Sequence, residues 1–175
     1  TRISFELAAK RLSADVINFS ATGTSVAKGE SLKDTALTLQ AMGADAIVIR
    51  HQSSGAPTAL TRWVTGSVIN AGDGVGEHPT QALLDAFTIN EELGRFESLT
   101  VTLLGDLKYG RTVHSLARLL SLFNVKLNYV SPDILKMPKE VMDEVSAKGI
   151  PQTEFSTLDE VLPESDVLYV TRVQK

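Results

Sequence analysis

The 175-residue sequence contains no cysteine. Disulfides, thiolate nucleophiles and cysteine-ligated metals are thereby excluded. Histidine is scarce as well: only His51, His78 and His114 occur, and they show no metal-ligand spacing, so no metal and no cofactor is expected. No apolar run approaches the roughly 20 residues needed to cross a bilayer, and no membrane association is expected. The first residues, Thr1-Arg2-Ile3-Ser4-Phe5, show neither the charged flank nor the apolar stretch of a signal peptide. Positive charge is not in excess. Seventeen Lys and Arg stand against 21 Asp and Glu, a net charge of -4, which argues against a general nucleic-acid surface. What is present is ordinary: 43% hydrophobic and 22% charged residues, enough apolar content for a packed core. These features predict a soluble, intracellular protein of one large or two small domains.

Apolar periodicity switches repeatedly between helix-like and strand-like spacing. Helices are predicted over 4–12, 31–42 and, more weakly, 56–64, with strands at 15–19, 44–49 and 67–70. The run Ala44-Asp45-Ala46-Ile47-Val48-Ile49 reads as a buried parallel strand, because such strands tend to be continuously apolar. A helix over 79–93 follows, with Pro79 suited to its first turn and Gly94 to its C-terminal cap. Beyond it come a strand at 99–104, a helix at 111–123, a strand at 125–130, a helix at 139–147, a short helix at 158–162 and a strand at 167–170. Alternating strands and helices imply an α/β fold of doubly wound parallel sheet. The helix 79–93 is placed to bridge two such units.

In open parallel sheets ligands gather at the carboxyl ends of the strands, where helix N-termini also point. Four polar segments fall at such ends: Arg50-His51; the stretch 70–81; the stretch 105–112; and Thr171-Arg172-Val173-Gln174. Three carry arginine and the other carries His78. An acidic chain that concentrates cations at strand ends suits a small, multiply charged anion, which the planar arginine fork grips at two points. The competing reading is that these arginines form surface ion pairs of little energetic weight.

Three motifs do not hold. Gly72-Asp73-Gly74-Val75-Gly76-Glu77 resembles a dinucleotide fingerprint but lacks the final glycine. The stretch 23–29 has a Lys-Gly pair in the wrong order for a phosphate-binding P-loop. His114 falls inside a helical pattern and reads as structural, while His51 carries no assignment.

The octapeptide His78-Pro79-Thr80-Gln81-Ala82-Leu83-Leu84-Asp85 resembles the carbamoyltransferase motif histidine-proline-(threonine or cysteine)-glutamine. Threonine in third place is similar to the aspartate rather than the ornithine enzymes. GDLKYGRTVHS at 105–115 is similar to the aspartate-side motif, and Thr171-Arg172-Val173-Gln174-Lys175 resembles the second aspartate-gripping segment. The similarity spans the whole chain. GDLKYGRTVHSLARLL, with Met137-Pro138 further on, also resembles the version in large multifunctional pyrimidine polypeptides.

The aspartate carbamoyltransferase resemblance implies two domains. A carbamoyl-phosphate domain covers 1–94 and includes the bridging helix 79–93; an aspartate domain covers 95–175. It implies transfer of the carbamoyl group from carbamoyl phosphate to L-aspartate in the cytoplasm. Thr1 matches the last threonine of the family's phosphate loop. Arg50, His78 and Gln81 match residues holding the carbonyl and amide ends of carbamoyl phosphate. Arg111, Arg172 and Gln174 match residues holding aspartate. Lys28 matches a loop lysine that reaches a neighbouring subunit's site, with Ser25 or Thr24 as its companion, which implies a homotrimer with shared active sites. A regulatory chain or fused pyrimidine enzymes are further partners compatible with the family.

In the implied reaction the aspartate amine attacks the carbamoyl carbon directly, without a covalent enzyme intermediate. Charge then builds on the carbonyl oxygen, where one fixed donor is often worth ~3 kcal/mol. Thr1, Arg50 and His78 are assigned that role. Two alternatives keep the fold: a non-catalytic homologue with a binding or assembly role, and a transferase for another amine acceptor. The family's Ser-Thr-Arg before Thr1 and its portion after Lys175 have no counterpart here, so the chain is expected to be part of a longer protein. Two domains of the usual ~100–150 residues would need more chain.

Overall fold

The computed structural model describes residues 1–19 and 31–172. The chain divides into two compact units, Thr1–Asp73 and Gly74–Lys175.

The first unit holds helix α1 (Arg2–Arg11), helix α2 (Leu32–Ala41), strand β1 (Ala46–His51), helix α3 (Ala56–Leu60) and strand β2 (Ser67–Asp73). Helix α2 begins with Ser31, whose side chain accepts the Asp34 N–H, a regular N-cap. Strands β1 and β2 pair in parallel from Ala46↔Ser67 to Ile49↔Asn70; the register then slips before His51↔Asp73, placing an irregularity at Arg50. The core is small: Ala36, Leu60 and Val64, with Leu32, Ile47, Ile49, Trp63 and Val68 packed against it. This corrects the reading of 44–49 as a fully buried strand. Alternate residues of β1 are exposed, Val48 by 42%, because among the described residues α2 and α3 cover one face of the two-stranded sheet. The strand predicted at 15–19 does not form. Ile17 and Phe19 are exposed and the segment joins no ladder, the sheet of this unit consisting, among the described residues, of β1 and β2.

The second unit begins with helix α4 (Pro79–Leu93), which ends at Gly94 in the left-handed conformation, as predicted. Strand β3 (Thr100–Leu104), helix α5 (Arg111–Leu120), strand β4 (Lys126–Val130), helix α6 (Lys139–Ser146), strand β5 (Gln152–Phe155) and strand β6 (Val167–Val170) follow. The four strands form one parallel sheet in the order β5-β4-β3-β6. Two sequence readings change here. Strand β5 was not predicted, and the helix expected at 158–162 is a turn followed by a 3₁₀ segment, Leu162–Glu164, with Pro163 near its start.

A contiguous core fills this unit. Val101 and Leu103 of β3 and Leu127 of β4 are fully buried, packed with Val113, Leu116, Ala117 and Leu120 of α5 and Val141 and Val145 of α6. Helix α5 earns its place by spacing, since its apolar residues recur at three- and four-residue intervals. Helix α4 joins the core through Ala82 and Ile89. Phe96 and Phe123 stack with ring centroids 4.3 Å apart. Among the described residues no helix is long and apolar enough to cross a membrane.

Candidate functional site

In the first unit the polar groups collect where β1 and β2 end. Arg50 stands at the register slip, the kind of irregularity that re-aims a side chain. Its Nη1 donates to Thr1 Oγ1 at 3.0 Å, so two predicted residues 49 positions apart are brought together. Buried Asp73, at the end of β2, accepts the Gly55 N–H at 2.6 Å through Oδ2 and the Asn70 Nδ2 at 3.1 Å through Oδ1. That fixes the turn ahead of α3 against the end of β2. His51 Nδ1 accepts the Ser53 N–H at 3.0 Å and makes a local turn.

The second unit has a topological switch. From β3 the chain steps to β4 and β5 on one side, then returns to place β6 on the other. Such a reversal opens a crevice outside the carboxyl ends of the two diverging strands, here β3 and β6. The segment after β3 leads to Arg111, and the segment after β6 to Arg172, which is exposed. The two strand ends touch: the Thr171 N–H donates to the Leu104 carbonyl at 2.8 Å. Gly105 is required there. Its φ is +122°, and a Cβ at this position would collide with the Thr171 carbonyl oxygen. Gly110 is likewise pressed on the Asp106 carbonyl, and between them buried Asp106 accepts the Tyr109 N–H at 2.9 Å. These contacts set the turn that delivers Arg111 to the first position of α5.

Helix α4 starts at His78, its N-cap, with no side chain capping the first turn. The positive end of the helix dipole at this point favours an anion. The Gln81 Nε2 donates to Asp85 Oδ1 at 2.8 Å, one turn along α4. Arg111 Nη1 donates to the Gly74 carbonyl at 2.6 Å, which ties the start of α5 to the loop carrying His78. A guanidinium has five N–H donors, so this contact is compatible with holding a carboxylate. His114 is buried and donates from Nε2 to the Leu107 carbonyl at 2.7 Å, a structural role.

The predicted site residues thus fall into two groups: Thr1 with Arg50 in the first unit, and His78, Gln81, Arg111 and Arg172 in the second. Lys28, its companions Ser25 and Thr24, and Gln174 lie outside the described residues. Sequence reasoning missed a polar network beside His78. The His78 N–H donates to Ser115 Oγ at 2.9 Å, Ser115 Oγ donates to the Glu77 carboxylate, and Arg118 Nη1 binds Glu77 at 2.5 Å. Arg118 also holds Glu144 of α6, from Nε at 2.5 Å and Nη2 at 3.2 Å. The bonded and charged contact with Glu144, and the charge on Glu77, raise the Arg118 pKa, while Arg118 lowers that of Glu144. The available signal was helical spacing, since Arg111, Ser115 and Arg118 recur at i, i+4 and i+7. Among the described residues no cluster of His, Asp and Glu could hold a metal ion.

Comparison with known proteins accounts for both units. Residues 1–91 match the aspartate/ornithine carbamoyltransferase carbamoyl-P binding domain, and residues 97–175 match the Asp/Orn binding domain of the same family. The aspartate carbamoyltransferase catalytic subunit of Salinispora arenicola is 58% identical over all 175 residues, which cover 56% of that relative. The multifunctional protein CAD of Squalus acanthias is 52% identical over 100% of the chain and 8% of its own length. The crystal structure of Trypanosoma cruzi aspartate transcarbamoylase in complex with aspartate and phosphate superposes with a TM-score of 0.90 at 44% identity, over 99% of this chain and 58% of that one. The catalytic subunit of M. Jannaschii aspartate transcarbamoylase superposes with a TM-score of 0.89 at 48% identity, over 99% of this chain and 57% of that one. The chain spans about half the length of the single-function relatives it matches. The chain therefore belongs to the aspartate/ornithine carbamoyltransferase family.

Proposed function

We propose that the protein containing this chain transfers the carbamoyl group of carbamoyl phosphate to the amine of L-aspartate, giving N-carbamoyl-L-aspartate and phosphate for pyrimidine synthesis. The observation that carries this reading is the switch between β3 and β6, with Arg111 following one strand end and Arg172 the other. Two arginines at such a crevice suit a dicarboxylate acceptor, since each fork can bind a carboxylate in two places. The catalytic-subunit relatives and the neighbour holding aspartate and phosphate support the same choice.

In this reading Thr1, Arg50 and His78 stabilise the charge that develops on the carbamoyl oxygen, and Gln81 holds the amide end. The Arg50–Thr1 hydrogen bond supports the first pairing by placing a cation and a hydroxyl together before substrate arrives. Lys28, Arg111, Arg172 and Gln174 hold aspartate. Fixing both substrates in attack geometry supplies much of the remaining acceleration. The departing phosphate takes up the amine proton, so no protein base is needed. The carbamoyl-phosphate domain covers 1–94 with its bridging helix, and the aspartate domain 95–175. The working unit is a cytoplasmic homotrimer in which Lys28 serves a neighbouring site, alone or fused to other pyrimidine enzymes.

The test compares acceptors in the full-length protein: aspartate, ornithine and putrescine, each with carbamoyl phosphate. Aspartate is expected to be strongly preferred, and Arg172→Ala to lower kcat/KM for aspartate about 10- to 100-fold, the range for a lost hydrogen bond to a charged group. A preference for ornithine or putrescine would sink the assignment. Mixing inactive Lys28→Ala and Arg50→Ala subunits is expected to restore activity. No recovery after subunit exchange would contradict the shared site.

A further inference from the structure

Resting on the assignment of His78 to the carbamoyl oxygen, we propose that Arg118 is a positioning residue that sets His78 through Glu77 and Ser115. One face of α5 grips the 74–78 loop at three points. Arg111 takes the Gly74 carbonyl, Ser115 takes the His78 N–H, and Arg118 takes the Glu77 carboxylate. The spacing i, i+4, i+7 makes these three side chains a single stripe on the helix.

The middle contact is directional. A serine hydroxyl has one proton, and here it is given to Glu77, which turns an oxygen lone pair toward the His78 N–H. Ser115 is buried, so water cannot replace either bond cheaply. The orientation of that hydroxyl therefore depends on where the Glu77 carboxylate sits. Arg118 holds it, and Arg118 is itself fixed from the other side by Glu144 on α6. The chain of contacts Glu144–Arg118–Glu77–Ser115–His78 runs from α6 across α5 to the N-cap of α4. Half-exposed ion pairs of this kind contribute little to stability. Their value here is geometric, because displacement of a catalytic group by about 1 Å can cost ~10²-fold in rate.

The test uses the full-length protein with Arg118→Met, which keeps the apolar stem, and Arg118→Lys, which keeps the charge. Glu164→Gln, at the surface partner of Lys126, is the control. Arg118→Met is expected to lower kcat several-fold while KM for aspartate stays within about twofold, since a moved group that acts in the transition state is read in kcat. Arg118→Lys is expected to recover at least half the loss. In the free protein the His78 backbone amide resonance is expected to move in Arg118→Met and not in Glu164→Gln. An unmoved resonance, or an undiminished kcat, overturns the proposal, as does a loss tracking the melting temperature that lysine fails to rescue. A wild-type protein without turnover would overturn the function instead, and the amide resonance would still decide the positioning.

Discussion

Val48 and Leu103 occupy the middle of parallel strands with similarly apolar sequences, yet Val48 is 42% exposed and Leu103 is fully buried. In the second unit, helices and neighbouring strands enclose β3, and the apolar residues of α4, α5 and α6 close into one core. In the first unit the buried cluster among the described residues is Ala36, Leu60 and Val64, and α1 buries none of its side chains. An apolar run states that a strand's faces favour cover; it does not state what covers them. The two units also present function differently. The first holds its polar turns with side-chain hydrogen bonds at Arg50 and Asp73, whereas the second adds to such bonds the close backbone contacts at Gly105 and Gly110.

The contrast is sharpest in core truncation. Leu103→Ala is expected to cost about 3 kcal/mol, within the usual 2–5 for a buried leucine, while Val48→Ala should cost about 1 kcal/mol or less. Amide exchange across β1 and β3 would check this, with protection lost in β3 of the first variant and β1 little changed in the second. Gly105→Ala should cost roughly 3 kcal/mol, because the Thr171 carbonyl must retreat and β6 with it. Chemical denaturation reads the loss, and a near-neutral result would show that the β3–β6 junction is softer than its geometry.

Tyr129→Phe should cost about 1 kcal/mol, the net worth of the Tyr129–Gln152 hydrogen bond of 2.6 Å. Burial first, and the charge of Glu154 second, raise the Tyr129 pKa above its ordinary value. A phenol with a raised folded pKa binds more protons folded than unfolded. Its contribution is therefore complete below the unfolded value and declines as pH rises toward the folded one. Melting curves of the wild type should fall more steeply above about pH 10 than those of Tyr129→Phe. The smallest effect belongs to Glu144→Gln. Hydrogen bonding to Arg118 lowers the Glu144 pKa, so its contribution is present above the ordinary carboxylate value and lost as pH falls through the folded one. With the pair largely solvated, a stability change of a few tenths of a kcal/mol is expected, and a pH-independent change would contradict this origin.

Most elements were legible because their periodicity was strong: α4 with its proline start and glycine end, α5, β3 and β4. Strand β5 was not legible, since Gln152-Thr153-Glu154-Phe155 lies at the sheet edge and needs no apolar run. The segment 15–19 misled for the opposite reason, as apolar content without a neighbouring strand makes no ladder. The arginines at strand ends were visible from position and motif. The Glu77–Ser115–Arg118 network was not, because helical spacing groups Ser115 and Arg118 on one face of α5 but nothing local points to Glu77, 38 and 41 residues away.

Carbamoyl transfer to aspartate is tested most directly by supplying ¹³C-labelled carbamoyl phosphate and L-aspartate to the full-length protein and following the label by NMR. The label is predicted to appear in N-carbamoyl-L-aspartate, with the rate collapsing in Arg172→Ala. A folded full-length assembly that leaves the label in carbamoyl phosphate and its spontaneous breakdown products would contradict the account.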